Sequence, residues 1–81
     1  MSKATIITGI RNLLSDRLEL RKSLIQKTSL LRKDLGMDSL DCYELLYAIE
    51  EEYDITVKDY EIHGNLSVAD VAALVIAKKG D

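Results

Sequence analysis

Ser39, Cys42, His63 and the acidic stretch from Asp34 to Glu61 are the places in this 81-residue chain where side-chain types invite chemistry. Ser39 lies in Asp34-Leu35-Gly36-Met37-Asp38-Ser39-Leu40, where a loop turns into an amphipathic helix. A hydroxyl there is expected to be exposed, and the free helix amides behind it favour an attached phosphate. The plainer use of a serine at that point is as a helix N-cap. Nucleophilic catalysis would need a base within hydrogen-bond reach and an oxyanion hole. His63 is the only histidine, and no G-x-S-x-G elbow surrounds Ser39. His63 is instead expected to cap or pack beside a short turn. Cys42 and His63 are single and lack ligand spacing, so no metal site is expected. Glu50, Glu51 and Glu52 point to successive sides of a helix and cannot form one chelating face.

Helices must position these groups. Ile6, Ile7, Ile10, Leu13, Leu14 and Leu18 recur at helical spacing and predict a first amphipathic helix over residues 3–19. A long connection, 20–38, follows. Its apolar Leu24, Ile25, Leu30, Leu31 and Leu35 are expected to tuck under the bundle, with a helical turn near 29–32. Gly36 can take positive φ without steric cost. Asp38 or Ser39 then caps a second helix that runs to about Tyr53, with Asp38 and Asp41 suiting its positive end. Residues 54–57 are rich in β-branched side chains and read as extended, and 58–63 as a short helical turn. Gly64-Asn65 breaks the chain. Ser67 caps a last helix in the manner of a capping box with Asp70. Val68, Val71, Ala72 and Val75 form its buried stripe, and Lys78 and Lys79 sit where the dipole favours cations.

The second helix carries two apolar stripes. With Leu40 as zero and about 100° per residue, Cys42, Leu45, Leu46, Ile49 and Tyr53 cluster between about 140° and 240°. They read as core, which makes Cys42 a small hydrophobe and not a reactive thiol. Leu40, Tyr43 and Tyr47 fall on the opposite side, flanked by Glu44, Glu51 and Asp54. A small domain cannot bury both faces of one helix. An apolar stripe rimmed by carboxylates reads as a docking surface, where the rim speeds encounter with a basic partner.

Composition supports one domain over 1–81 with a modest core of Leu, Ile and Val, since Phe, Trp and Pro are absent. A single cysteine excludes an internal disulfide and fits a reducing cytoplasm. The longest apolar run, 71–77, is too short to span a bilayer. The net charge of −3 hides an asymmetry: residues 1–33 carry +6 and residues 34–61 carry −9. The acidic middle should repel nucleic acid, and the scattered basic residues before it have no interleaved aromatics, so no nucleic-acid role is expected.

The segment DLGMDSL, continued through Asp41-Cys42-Tyr43-Glu44-Leu45-Leu46-Tyr47-Ala48-Ile49-Glu50-Glu51-Glu52-Tyr53-Asp54, resembles the acyl carrier proteins. The likeness is close over 29–54 and looser to about residue 76. It implies an all-α bundle of three main helices plus one short helix, with a long first connection. It implies that Ser39 receives a covalent 4'-phosphopantetheine from a phosphopantetheinyl transferase, with Asp38 helping the transferase and its metal bind. The protein would then be a carrier and not an enzyme, expected as a monomer. It would present an acyl thioester in fatty acid, polyketide or specialised lipid biosynthesis. Partners would be acyl-transferring or acyl-activating enzymes with basic docking surfaces, meeting Leu40, Tyr43, Glu44, Tyr47 and Glu51. Cys42, Leu46 and residues near Ile62 are expected to line a crevice for an attached chain. The chain departs from the usual pattern in its basic first third, in Tyr at 43 and 47, in Leu31 where Phe is favoured, and in the missing proline near Lys58. These departures point to a specialised carrier. The alternatives are an aminoacyl or peptidyl carrier charged by an adenylating ligase, and an unmodified interaction domain that kept the fold.

Overall fold

A computed structural model describes residues 2–80. Among them three α-helices carry the architecture: α1, Lys3–Leu18; α2, Ser39–Tyr53; and α3, Val68–Lys78. Single 3-10 turns stand at Lys22–Leu24 and Asp59–Glu61. No helix among the described residues is long and apolar enough to cross a membrane.

Each α-helix begins where a polar side chain satisfies an orphan amide. Ser2 caps α1 by accepting from the Thr5 amide at 3.2 Å. Asp38 caps α2 and Ser67 caps α3, both in full capping boxes. The ends of α1 and α2 fall on acidic residues in the left-handed region, Glu19 at φ 57 and Asp54 at φ 53. Asp54 is therefore not extended as the sequence suggests; the left-handed turn reverses the chain, and residues 55–58 follow without regular structure. Lys79 Nζ donates to the Tyr53 carbonyl at 3.0 Å, satisfying one free carbonyl at the end of α2.

The apolar stripes meet in one core. Ile6, Ile10 and Leu14 of α1 pack with Cys42, Leu45, Leu46, Ile49 and Tyr53 of α2 and Val68, Val71, Ala72 and Val75 of α3. Helical periodicity places all twelve correctly, because each element's stripe has only one core to face.

The connection 19–38 departs from expectation in three ways. A 3-10 turn lies at Lys22–Leu24, where none is expected. Arg11 holds that turn, donating from its guanidinium to the Ile25 carbonyl at 2.8 Å and the Lys22 carbonyl at 2.7 Å. Leu24 projects into solvent at 67% exposure, whereas Ile25 and Leu31 are buried and Leu30 and Leu35 half-buried. Residues 27–32 exchange backbone bonds with the chain that enters α3, and a helical turn starts at Leu30, whose carbonyl accepts from the Asp34 amide at 3.0 Å. The amides of Leu31 and Arg32 donate to the carbonyls of Leu66 and Gly64 at 2.9 and 3.0 Å. In return the Val68 and Ala69 amides donate to Ser29 and Lys27 at 3.1 and 2.9 Å, around an isolated antiparallel bridge between Leu30 and Ser67.

Candidate functional site

The residues leading into α2 form a tight hydrogen-bonded loop. Asp34 folds back so that its carboxylate accepts from the Leu30 amide at 2.7 Å, while its own amide donates to the Leu30 carbonyl at 3.0 Å. The Gly36 and Met37 amides close further turns onto Arg32 and Leu31 at 2.9 and 3.0 Å. Gly36 sits at φ 70, a conformation that a side chain would strain. Met37, unassigned by the sequence pattern, is only 2% exposed and plugs the loop into the core. This anchor fixes where Asp38 and Ser39 emerge.

Asp38, not Ser39, is the cap. Its Oδ1 accepts from the Asp41 amide at 2.9 Å, and Asp41 Oδ2 accepts from the Asp38 amide at 3.2 Å. Ser39 is the first residue inside α2 and is exposed. Among the described residues its hydroxyl takes part in no hydrogen bond, and the Ser39 and Leu40 amides have no protein acceptor. The serine therefore presents a free oxygen beside free N–H groups at a helix N-terminus, an arrangement that accommodates a phosphate ester.

Ser39 opens onto a shallow pocket of about 100 Å³ lined by Arg32, Ser39, Cys42, Tyr43, Asp59, Ile62, His63 and Gly64. Cys42 and Ile62 stand in this wall as expected, but Leu46 does not; it is 1% exposed within the core below. The pocket brings Ser39 and His63 together, which invites comparison with a serine–histidine pair. His63 Nδ1, however, accepts from the Asn65 amide at 3.3 Å, consistent with the turn-supporting role expected from the sequence. Burial pushes the Cys42 thiol up, with Asp41 and Asp38 adding to it and Arg32 opposing, so this sulfur stays protonated and unreactive at neutral pH. Among the described residues no group of three or more His, Cys, Asp or Glu gathers to hold a metal.

The outer stripe of α2 is exposed beside the pocket: Leu40 at 76%, Tyr43 at 41% and Tyr47 at 60%. Glu44 and Glu51 flank it, both exposed. Glu51 is already engaged, accepting from Arg17 of α1 at 3.0 Å. This is the one ion pair among the described residues that links the basic first third to the acidic middle. Tyr60, at 73% exposure, adds a further apolar ring on the 3-10 turn Asp59–Glu61. Arg32, Asp59 and Gly64 were missed as pocket residues because they lie far apart in sequence and follow no common period.

Residues 8–75 match the protein family described as "Phosphopantetheine attachment site". The chain is 35% identical over 80 residues to a protein named "Acyl carrier protein" from Prochlorococcus marinus strain MIT 9515, with 99% of this chain and 100% of that one covered. It is 42% identical over 69 residues to one of the same name from Treponema pallidum strain Nichols, covering 85% and 88%. A third, from Borreliella burgdorferi strain ZS7, is 34% identical over 80 residues, covering 99% and 100%.

Proposed function

The chain belongs to the acyl carrier protein family, and from that premise we propose that Ser39 is where its 4'-phosphopantetheine is attached. A member of this family is a carrier and not a catalyst, and the covalent arm is its cofactor. When attached, the arm supplies a terminal thiol that holds the acyl group as a thioester; the protein supplies binding and presentation. The observation that carries the assignment of Ser39 is the displaced cap. With Asp38 and Asp41 completing the capping box, the serine hydroxyl is exposed and uncommitted.

The remaining residues take roles around that oxygen. The Ser39 and Leu40 amides face the added phosphate. Asp38 serves the transferase and its metal during attachment, using the carboxylate oxygen that the cap leaves free. Leu40, Tyr43 and Tyr47 form the apolar centre of a docking surface, and Glu44 and Glu51 its acidic rim. Tyrosine suits such a surface because a rigid ring loses little entropy when immobilised and its hydroxyl stays wet. Partner enzymes are read as basic at the matching patch, acting in fatty acid, polyketide or specialised lipid biosynthesis in the cytoplasm.

The test is intact mass after incubation with coenzyme A and a broad-specificity phosphopantetheinyl transferase. A gain equal to the arm, absent in Ser39→Ala, supports the assignment. No gain with any transferase favours an unmodified interaction domain. Charging of the loaded form by an adenylating ligase with an amino acid favours the aminoacyl carrier.

A further inference from the structure

Arg32 is exposed and lines the pocket that Ser39 opens onto, with its stem against Gly64. Its amide donates to the Gly64 carbonyl at 3.0 Å, and its side chain lies across the Gly64 backbone. A Cβ at position 64 would fall 2.7 Å from Arg32 Cβ and 2.9 Å from Nε, so only glycine admits this course. Contact of the stem with Gly64 lowers the entropy cost of using a long side chain. Yet among the described residues the guanidinium has neither an ion pair nor a hydrogen bond. It faces the pocket that Ser39 opens onto, together with Asp59 and His63. Because His63 Nδ1 accepts from the Asn65 amide, the neutral ring carries its proton on Nε2.

An unpaired guanidinium lining the same small pocket as a serine that receives a phosphodiester has a specific use. We propose that Arg32 is the anion anchor for the phosphodiester carried by Ser39, with His63 Nε2–H as a second donor. The contact offsets the negative charge that the ester adds beside Asp38 and Asp41. It also directs the first segment of the arm over the pocket wall of Cys42 and Ile62 instead of into solvent. A planar guanidinium matches phosphate oxygens in geometry as well as charge. The inference rests on the assignment of Ser39 as the attachment point.

The experiment compares apo and loaded forms of the full chain, ¹⁵N-labelled, after coenzyme A and transferase treatment monitored by mass. The Arg32 Nε–H resonance, assigned by its loss in Arg32→Gln, should move on loading at low ionic strength. It should return toward its apo position as salt is added. The ³¹P resonance of the arm should differ between loaded wild type and loaded Arg32→Gln. Arm incorporated with the Arg32 Nε–H resonance unmoved, or with identical ³¹P resonances in the two proteins, overturns the anchor and leaves the carrier intact. Absence of any mass gain overturns the carrier assignment itself. The wild-type resonance alone decides if the variant resists loading.

Discussion

At the start of α3, Ser67 is consumed by its helix: Oγ accepts from the Asp70 amide at 3.1 Å, the Asp70 carboxylate accepts from the Ser67 amide at 2.9 Å, and the residue is half-buried against Leu30. At the start of α2 the same box is built from Asp38 and Asp41, and Ser39 stands one residue further on with its hydroxyl unused. Both sites read as serine near a helix start followed by an acidic residue. The difference lies in which residue carries the cap. Where an aspartate takes that work, the serine hydroxyl is left free and exposed; where the serine does it, the hydroxyl is committed to the fold.

The contrast can be broken most decisively at the modification step. Ser39→Ala should lose all of the mass gain on transferase treatment, and Ser67→Ala should keep it. A gain persisting in Ser39→Ala would erase the distinction. A second test sets the two faces of α2 against each other. Leu46→Ala should destabilise by about 2–5 kcal/mol, as core truncations do. Tyr43→Ala and Tyr47→Ala should stay within about 0.5 kcal/mol on urea unfolding, while slowing transfer to client enzymes. Unfolding caused by either tyrosine change would reverse the assignment of faces.

The serines themselves should then separate on stability. Ser67→Ala should cost about 1 kcal/mol as a lost cap, and Ser39→Ala less than about 0.5 kcal/mol as an exposed non-cap position. Equal losses in urea would show that Ser39 shares the capping after all.

The smallest effect concerns a third helix start. At Lys58–Glu61 the Glu61 carboxylate reaches back to the Lys58 amide at 2.9 Å, as Asp41 and Asp70 do at their own helices, and also meets Lys78 at 2.8 Å. Hydrogen bonds from the Lys78 side chain and the Lys58 amide hold the Glu61 carboxyl below the usual glutamate range. A depressed folded-state value contributes stability above the unfolded pKa and loses it as pH falls through the folded one. Acid titration of stability should therefore be slightly shallower in Lys78→Met than in wild type. An unchanged acid limb would remove Lys78 from the balance.

The three helices, their core stripes and the serine loop were readable because each is local: a period of 3.6, a cap, a glycine at positive φ. Val68, Val71, Ala72 and Val75 follow from spacing alone, as does the exposure of Leu40, Tyr43 and Tyr47. What escaped is non-local. The exchange of backbone bonds between 27–32 and 64–69 leaves no mark in hydrophobic pattern, and the expected burial of Leu24 was wrong. Met37 looked like a variable loop residue because one apolar side chain has no period. Gly64 read only as a chain breaker, although its lack of a side chain is what lets Arg32 lie beside the serine.

The Arg17–Glu51 pair occupies one carboxylate on the outer face of α2. Near the C-terminal half of its outer face the carboxylate at 51 is matched by a neighbouring cation, so an approaching positive body finds less pull there. Toward the other end Asp38, Asp41 and Glu44 form no ion pair among the described residues, and Arg32 is the cation across the pocket. A basic surface meeting the outer face thus finds, among the described residues, unpaired carboxylates at both ends, Glu44 near Ser39 and Asp54 beyond Glu51, and only the one at 51 must first be released from Arg17.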